Sequence, residues 1–170
     1  MSSPGKLNLT TPSDREIQIT RVFDAPRRLI WDAWTKPELL KRWLLGPPGW
    51  TMVVCDIDLR VGGKYRYEWF KEPNIRMGMG GVYREVAQPE RLVATEKFDD
   101  PWYPGEAVGT VVLKEQNGKT MLTQTIQYES RDARDIVLKS PMEQGLSMGY
   151  DRLAELASSL ASQESSRAKA

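Results

Sequence analysis

The stretch that decides the fold covers residues 19–43 and reads ITRVFDAPRRLIWDAWTKPELLKRW. Its first residues complete a predicted strand over 15–23, in which apolar and polar side chains alternate as they do when a sheet buries one face. Asp24 and Pro26 end this strand, because proline lacks the N–H group that a sheet ladder requires. The folded part of the chain therefore begins with a strand that stops abruptly.

Two short helices are predicted in the rest of this stretch. The first covers 26–35, with Asp24 as its expected N-cap and an apolar stripe along one face. The second covers 37–44 and starts at Pro37, since proline suits the first turn of a helix. A cluster of glycine and proline at 46–49 ends the helical region.

Beyond this cluster the apolar residues recur at period two, which is typical of strands. Gly62-Gly63 and Asn117-Gly118 favour hairpin turns, because these residues tolerate the positive φ of tight turns. Neighbouring strands are therefore expected to pair antiparallel. The six predicted strands are 50–59, 64–70, 78–86, 91–97, 107–115 and 120–128.

The strongest helical signal covers 142–160, where apolar or small residues recur at spacings of three and four. About twenty residues form a rod of about 30 Å, which is long enough to lie across a seven-stranded sheet. Leu146, Leu153 and Leu156 are expected to pack onto that sheet. The sequence thus predicts an α+β domain over 15–161.

The two ends of the chain have a different composition. Residues 1–14 and 162–170 are mostly small, polar or charged, and such segments bury too little surface to offset the entropy of ordering them. Both are expected to be disordered tails.

Composition excludes several functions. The 170 residues include 24 basic and 23 acidic side chains, so the net charge is only +1 and gives no strong positive field for binding nucleic acid. Histidine is absent, which removes imidazole bases and Cys/His zinc sites, and no metal or cofactor is expected. The single cysteine, Cys55, forms no internal disulfide, and no stretch approaches the roughly 18 apolar residues of a membrane span. A cytoplasmic location is the expectation.

Four sequence blocks, in this order, resemble the AHSA1-like branch of the START/Bet v 1-like superfamily. They are the stretch at 19–43, DLRVGG at 58–63, PERLV at 89–93 and MEQG at 142–145. The resemblance implies a helix-grip fold, in which a curved antiparallel sheet of seven strands surrounds a long C-terminal helix. It also implies two short helices after the first strand, and a cavity between sheet and helix.

Two positions depart from the family pattern. Leu44 follows Trp43 where the family often has a second tryptophan, and Leu146 follows Gly145 where it often has one. Both changes remove an indole with its N–H donor near the implied cavity. A family ligand is therefore not carried over to this chain.

The candidate site residues are those expected to face the cavity. Tyr65, Tyr67 and Trp69 share one strand face, where pocket lining and ordinary core packing are both open. Glu96 alternates with Leu92 on a face expected to point inward, which makes it the best candidate for a buried ionisable group. The ten residues expected to contact a ligand are Trp43, Tyr65, Tyr67, Trp69, Met79, Tyr83, Glu96, Met142, Leu146 and Gly149.

Glycines inside predicted elements have two interpretations. In the predicted strand, Gly78, Gly80 and Gly81 either allow the sheet to bend or leave room for a ligand. In the predicted helix, Gly145 and Gly149 either permit close packing on the sheet or leave room for a ligand. A cavity of about 300 Å³ or more is expected from the volume that they leave.

Three further residues or pairs have competing interpretations. Trp102 and Tyr103 either cap the cavity mouth or pack against the sheet edge. Cys55 is expected to be buried and unreactive on the same apolar face as Val53. Asp56 and Asp58 are expected on the outer, solvated face of that strand.

Three functions remain open. The first is binding of a small hydrophobic or amphipathic molecule in the cavity. The second is a cyclase, lyase or hydrolase in the same cavity, which would need a polar cluster around Glu96 or the tyrosine hydroxyls, and the absence of histidine counts against it. The third is a protein-interaction module with a chaperone partner, acting through a patch near Trp102 and Tyr103. The namesake of the family stimulates the ATPase of Hsp90, but that role is not expected here, because this chain lacks the extra N-terminal domain of the eukaryotic co-chaperones.

Overall fold

The computed structural model of the chain describes residues 5–168. Its strands are β1 (Asn8–Thr10), β2 (Glu16–Phe23), β3 (Trp50–Ile57), β4 (Lys64–Lys71), β5 (Ile75–Ala87), β6 (Arg91–Phe98), β7 (Ala107–Gln116) and β8 (Lys119–Gln127). Its helices are α1 (Arg27–Thr35), α2 (Pro37–Leu40), α3 (Arg131–Leu138) and α4 (Met142–Ala168).

The strands form one antiparallel sheet in the order β1-β2-β8-β7-β6-β5-β4-β3. The predicted α+β class, the antiparallel pairing, the two short helices after the first long strand and the long C-terminal helix are confirmed. The sheet has eight strands in the described region instead of the predicted seven. The helix α3 was not predicted.

The additional strand lies in the segment that was expected to be a tail. β1 pairs with β2 in the register Asn8 to Thr20, and its three residues are too few to show a period in the sequence. At the other end, α4 continues to Ala168, beyond the predicted start of the tail at 162. The remaining tail residues, 1–4 and 169–170, lie outside the described residues.

The start of α1 corrects a second expectation. Pro26 occupies the N-cap position, and Asp24 does not cap the helix. The backbone N–H of Arg27 donates instead to Oε1 of Glu115, at 2.8 Å. The Glu115 carboxylate at the end of β7 thus accepts a hydrogen bond from a free N–H group in the first turn of α1, which was the role expected of Asp24. Only the tertiary fold brings Glu115 to this position.

A β-bulge corrects the predicted face of Val53. The register of β3 against β4 shifts between Met52 and Val54, so that one extra residue is inserted. Met52 is buried as a result, and Val53 is 45% exposed. Cys55 is buried as predicted, and Asp56 is exposed.

The glycines of β5 serve close approach to neighbouring groups. A Cβ on Gly81 would overlap the carbonyl oxygen of Thr95 on β6, and one on Gly78 would overlap the carboxylate of Asp99. Gly81 therefore allows β5 to lie close to β6, and Gly78 allows it to lie close to the ion pair of Arg66 and Asp99. The expectation that these glycines leave volume for a ligand is wrong.

The core lies between the inner face of the sheet and the helices. Leu153 of α4 is fully buried and Leu156 nearly so, whereas Leu146 is half-buried. The Tyr150 hydroxyl donates to Oε1 of Gln124, which ties α4 to β8. The middle of α4 thus packs closely, and its first turns are less buried.

Candidate ligand cavity

A cavity of about 300 Å³ lies between the inner face of the sheet and α4. β4 to β8 form one wall, α4 forms the opposite wall, and the segment after α2 closes one end. All six tyrosines of the chain line this cavity. Its surface is therefore largely aromatic, with hydroxyl groups at fixed points, and its volume is at the lower end for small-molecule sites.

The structure brings all the candidate site residues together. Alternation along β4, β5 and β6 places their inward side chains on one wall, and the 3.6-residue period of α4 places the others opposite. The lining includes Trp43, Tyr65, Tyr67, Trp69, Met79, Tyr83, Glu96, Met142, Leu146 and Gly149.

Several lining residues were missed, although the sequence carries a signal for some of them. Tyr150 lies four residues after Leu146, which is the spacing of one helix face. Tyr128 continues the alternation of Gln124 and Ile126 along β8. Trp34 has no such signal, because α1 reaches the cavity only through tertiary packing.

The cavity opens to solvent beside Trp102. This indole is 43% exposed and Met77 is 39% exposed, and both line the cavity together with Met142 at the start of α4. Tyr103 is buried and makes an edge contact with Tyr128, at 5.2 Å between ring centroids. Of the two interpretations of this loop, the structure therefore supports the cavity mouth.

Three polar tips in the lining already have partners. The Tyr65 hydroxyl donates to the Thr95 carbonyl at 2.6 Å. Trp69 Nε1 donates to the Leu44 carbonyl at 2.8 Å, and Trp43 Nε1 donates to a carbonyl of α1 at 2.9 Å. These bonds fix the ring orientations and leave the ring faces toward the cavity.

Glu96 is different, because no side-chain hydrogen bond to its carboxylate is found within residues 5–168. The Glu96 side chain is half-buried, and it lines the cavity. Burial raises its pKa from 4.5 to about 7. The carboxyl therefore changes charge near neutral pH.

Tyr83 supplies a second unpaired polar group. Its hydroxyl is buried and has no hydrogen-bond partner among the described residues. It is close enough to Tyr67 to affect the pKa of that residue, but the two hydroxyls do not have hydrogen-bond geometry. Burial raises the pKa of both phenols, so both stay neutral at physiological pH.

Two glycines of α4 shape the cavity. A Cβ on Gly145 of α4 would meet nothing within 4 Å, so the missing side chain leaves open space. A Cβ on Gly149 would be 3.4 Å from the Trp43 carbonyl, so the backbone of α4 approaches that segment closely. Gly145 therefore leaves room for a ligand, whereas Gly149 permits close packing of the helix.

The lining sets limits on chemistry. Glu96 is the one lining carboxylate, and no lysine or arginine lines the cavity in the described part of the chain. Cys55 is not among the lining residues, and burial raises its pKa to about 11. A pair of acid and base groups is therefore not assembled here, whereas a site for an apolar molecule is.

The comparisons with known proteins agree with this geometry. The family model described as "Activator of Hsp90 ATPase homolog 1-like protein" matches residues 24–158, which include all ten candidate residues. No curated protein matches the chain. Across the described residues, no group of three or more acidic or cysteine side chains is placed to hold a metal ion, and no helix is both long and apolar enough to cross a membrane.

Solved structures share the fold. A protein from Rhodobacter sphaeroides is 29% identical and has a TM-score of 0.84, with 90% of this chain and 99% of that chain covered. A protein from Nitrosomonas europaea is 22% identical, with a TM-score of 0.78 and coverage of 89% and 99%. The AHSA1-like protein from Aeromonas hydrophila is 18% identical, with a TM-score of 0.65 and coverage of 85% and 94%. The last two show the fold alone.

Proposed function

Because the chain belongs to the AHSA1-like family of the Bet v 1-like superfamily, a fold that commonly binds hydrophobic ligands, we propose that it binds a small, largely apolar molecule. The site is the cavity between the sheet and α4. The observation that carries the proposal is a volume of about 300 Å³ that the aromatic side chains around it leave unfilled.

The lining supports binding over the two alternatives. Catalysis by acid and base needs two positioned groups, and Glu96 is the one carboxylate in the lining. The interaction module depended on a surface patch at Trp102 and Tyr103, and both belong to the cavity lining. A small molecule accounts for all of these side chains together.

The cavity also has a route for entry. Trp102 and Met77 are the most exposed of its lining side chains. A ligand entering here would contact exposed apolar surface first and then the buried tyrosines. We also propose that the protein acts in a reducing compartment, the cytoplasm, since its single cysteine is free.

The test uses the neutral fluorescent probe N-phenyl-1-naphthylamine. We expect the wild-type protein to enhance its fluorescence in a saturable way and to gain thermal stability as the probe concentration rises. Gly145→Leu should keep its fold and lose this binding, because the new side chain enters open space in the cavity. Ser158→Leu is the matched control, since it adds the same side chain at an exposed position of the same helix. Equal probe affinity in the folded Gly145→Leu variant would contradict the proposal.

A further inference from the structure

We propose that the cavity selects a ligand with a cationic amine, which binds beside the Glu96 carboxylate while the apolar body lies among the tyrosine rings. This inference rests on the proposed function and names the chemical class of its ligand. Four observations support it: the charge of the lining, the unpaired carboxylate, its position on the cavity wall and the rings around it.

The charge of the lining excludes anions. Glu96 is the one charged side chain among the lining residues of the described chain, and lysine and arginine are not among them. A carboxylate or phosphate in the cavity would have no cation to pair with and would meet a like charge. An ammonium group would meet an opposite charge in a site with little water, where electrostatic attraction is strong.

The carboxylate itself lacks a partner. Buried carboxylates in proteins are ordinarily paired or hydrogen-bonded, because an isolated buried charge is costly. Across residues 5–168 no side chain donates to Glu96, and its pKa of about 7 reflects burial alone. A ligand ammonium would provide the missing donors and would favour the ionised form of the carboxyl.

The carboxylate lies on the cavity wall formed by the sheet, close to β7. A Cβ on Gly109 of β7 would be 3.2 Å from Oε1 of Glu96, which is tighter than ordinary contact, so glycine at this position lets the carboxylate lie against the strand. Both residues line the cavity, so a ligand in the cavity can approach the carboxylate from the side away from β7. Tyr83 lines the same cavity, and its hydroxyl has no hydrogen-bond partner among the described residues.

Aromatic rings complete the site. Tyr65 on β4, Tyr103 in the loop before β7, Tyr128 after β8 and Tyr150 on α4 line the same cavity as Glu96. Burial raises the pKa of each phenol, and the charge of Glu96 raises it further, so all four lie within electrostatic reach of the carboxylate. All four stay neutral, and the faces of neutral aromatic rings attract cations. A carboxylate with aromatic rings on several sides is suited to an organic cation.

The pH dependence follows from the groups that face Glu96. Those from the surrounding elements are the four neutral tyrosines, and Arg21 lies farther off, where it acts on Tyr150. Amine affinity should therefore rise between pH 5.5 and pH 8 as Glu96 ionises, as long as the amine stays protonated. A neutral ligand should show no such rise.

The experiment compares three probes that share a naphthylmethyl group: 1-naphthylmethylamine, 1-naphthylmethanol and 1-naphthylacetate. Titration calorimetry at pH 7.5 should show the amine binding about tenfold more tightly than the alcohol, with the acid weakest. Glu96→Gln should lower amine affinity about tenfold and leave the alcohol unchanged. Glu85→Gln is the control, because Glu85 forms an exposed ion pair with Arg91 and does not line the cavity.

The outcomes separate the two proposals. If the alcohol binds in a manner sensitive to Gly145→Leu, but the amine has no advantage or is unaffected by Glu96→Gln, the amine inference is wrong and the cavity proposal stands. If no probe binds the folded wild-type protein, both are wrong. The pH profile of the wild type needs no variant, so a flat amine affinity between pH 5.5 and pH 8 would also overturn the inference.

Discussion

Nη1 of Arg21 on β2 lies 2.8 Å from Oδ1 of Asp151 on α4. The arginine side chain is 3% exposed and the aspartate side chain is 62% exposed, so the pair joins the inner face of the sheet to the outer edge of the helix. The guanidinium also lies 5.3 Å from the centroid of the Phe23 ring. Nε and Nη1 have no hydrogen bond of good geometry among the described residues, so the buried cation depends on the charge of Asp151.

Asp151→Ala should lower the free energy of unfolding by about 1–3 kcal/mol, because it leaves a buried cation without its acid. The value is below that of a fully buried pair, since water screens the exposed carboxylate. Urea denaturation measures the change. Glu155→Ala, at an exposed position of the same helix, should change stability much less. In an Arg21→Met background the Asp151→Ala loss should vanish, and a loss that persists there would contradict the pairing argument.

Two glycine-to-alanine substitutions should have opposite effects. Gly81→Ala should destabilise by about 1–3 kcal/mol, because its Cβ would overlap the Thr95 carbonyl oxygen and force β5 away from β6. Gly145→Ala should stabilise by about 0.5–1 kcal/mol, since alanine favours the helix and meets nothing within 4 Å. Thermal and urea unfolding of both variants check this prediction. A neutral Gly81→Ala would mean that the strands are less closely spaced than the structure shows.

The sequence could predict most of the fold, because its regular elements carry strong periodic signals. The strand around Tyr65 and Tyr67 alternates without interruption, and the helix from Met142 repeats at spacings of three and four. Those same patterns placed the ten candidate residues on faces that the structure brings to one cavity. The periodicity of each element and the side of it that is buried could both be predicted from residues close together in the sequence.

The remaining features depend on contacts between distant residues. The bulge at Val53 reverses the alternation of β3, and nothing in its own strand indicates this. The Glu115 carboxylate replaces Asp24 at the start of α1 only because β7 ends there. The buried position of Arg21 is likewise hidden, since its charge suggests a surface residue until Asp151 is placed beside it.

Cys55 should react slowly with a thiol reagent in the native protein. The thiolate is the reactive form, and burial raises the pKa of this thiol to about 11, so almost none is present at pH 7. The side chain is also buried against the core. Labelling with 5,5′-dithiobis(2-nitrobenzoate) at pH 7 should be slow in buffer and rapid in guanidinium chloride. Rapid labelling of the folded protein would contradict the burial of Cys55.

Glu96 should make the protein less stable as the pH rises from about 4.5 to about 7. The folded state keeps its proton up to about pH 7, whereas the unfolded chain releases it near the ordinary value of 4.5. Between these values the folded state binds more protons, so the free energy of unfolding falls as pH increases, by up to about 3 kcal/mol from this group. The penalty is absent below pH 4.5 and complete above pH 7.

Glu96→Gln should remove this penalty, because the amide is uncharged at every pH. We expect urea denaturation to show a small gain in stability of the variant over the wild type at pH 5, where the penalty has begun, and a much larger gain at pH 8. Glu85→Gln serves as the control, since that exposed carboxylate is paired with Arg91 on the solvent side of the sheet. If Glu96→Gln shifts stability equally at pH 5 and pH 8, the carboxyl does not change charge in this interval, and the amine site would lose its pH dependence with it.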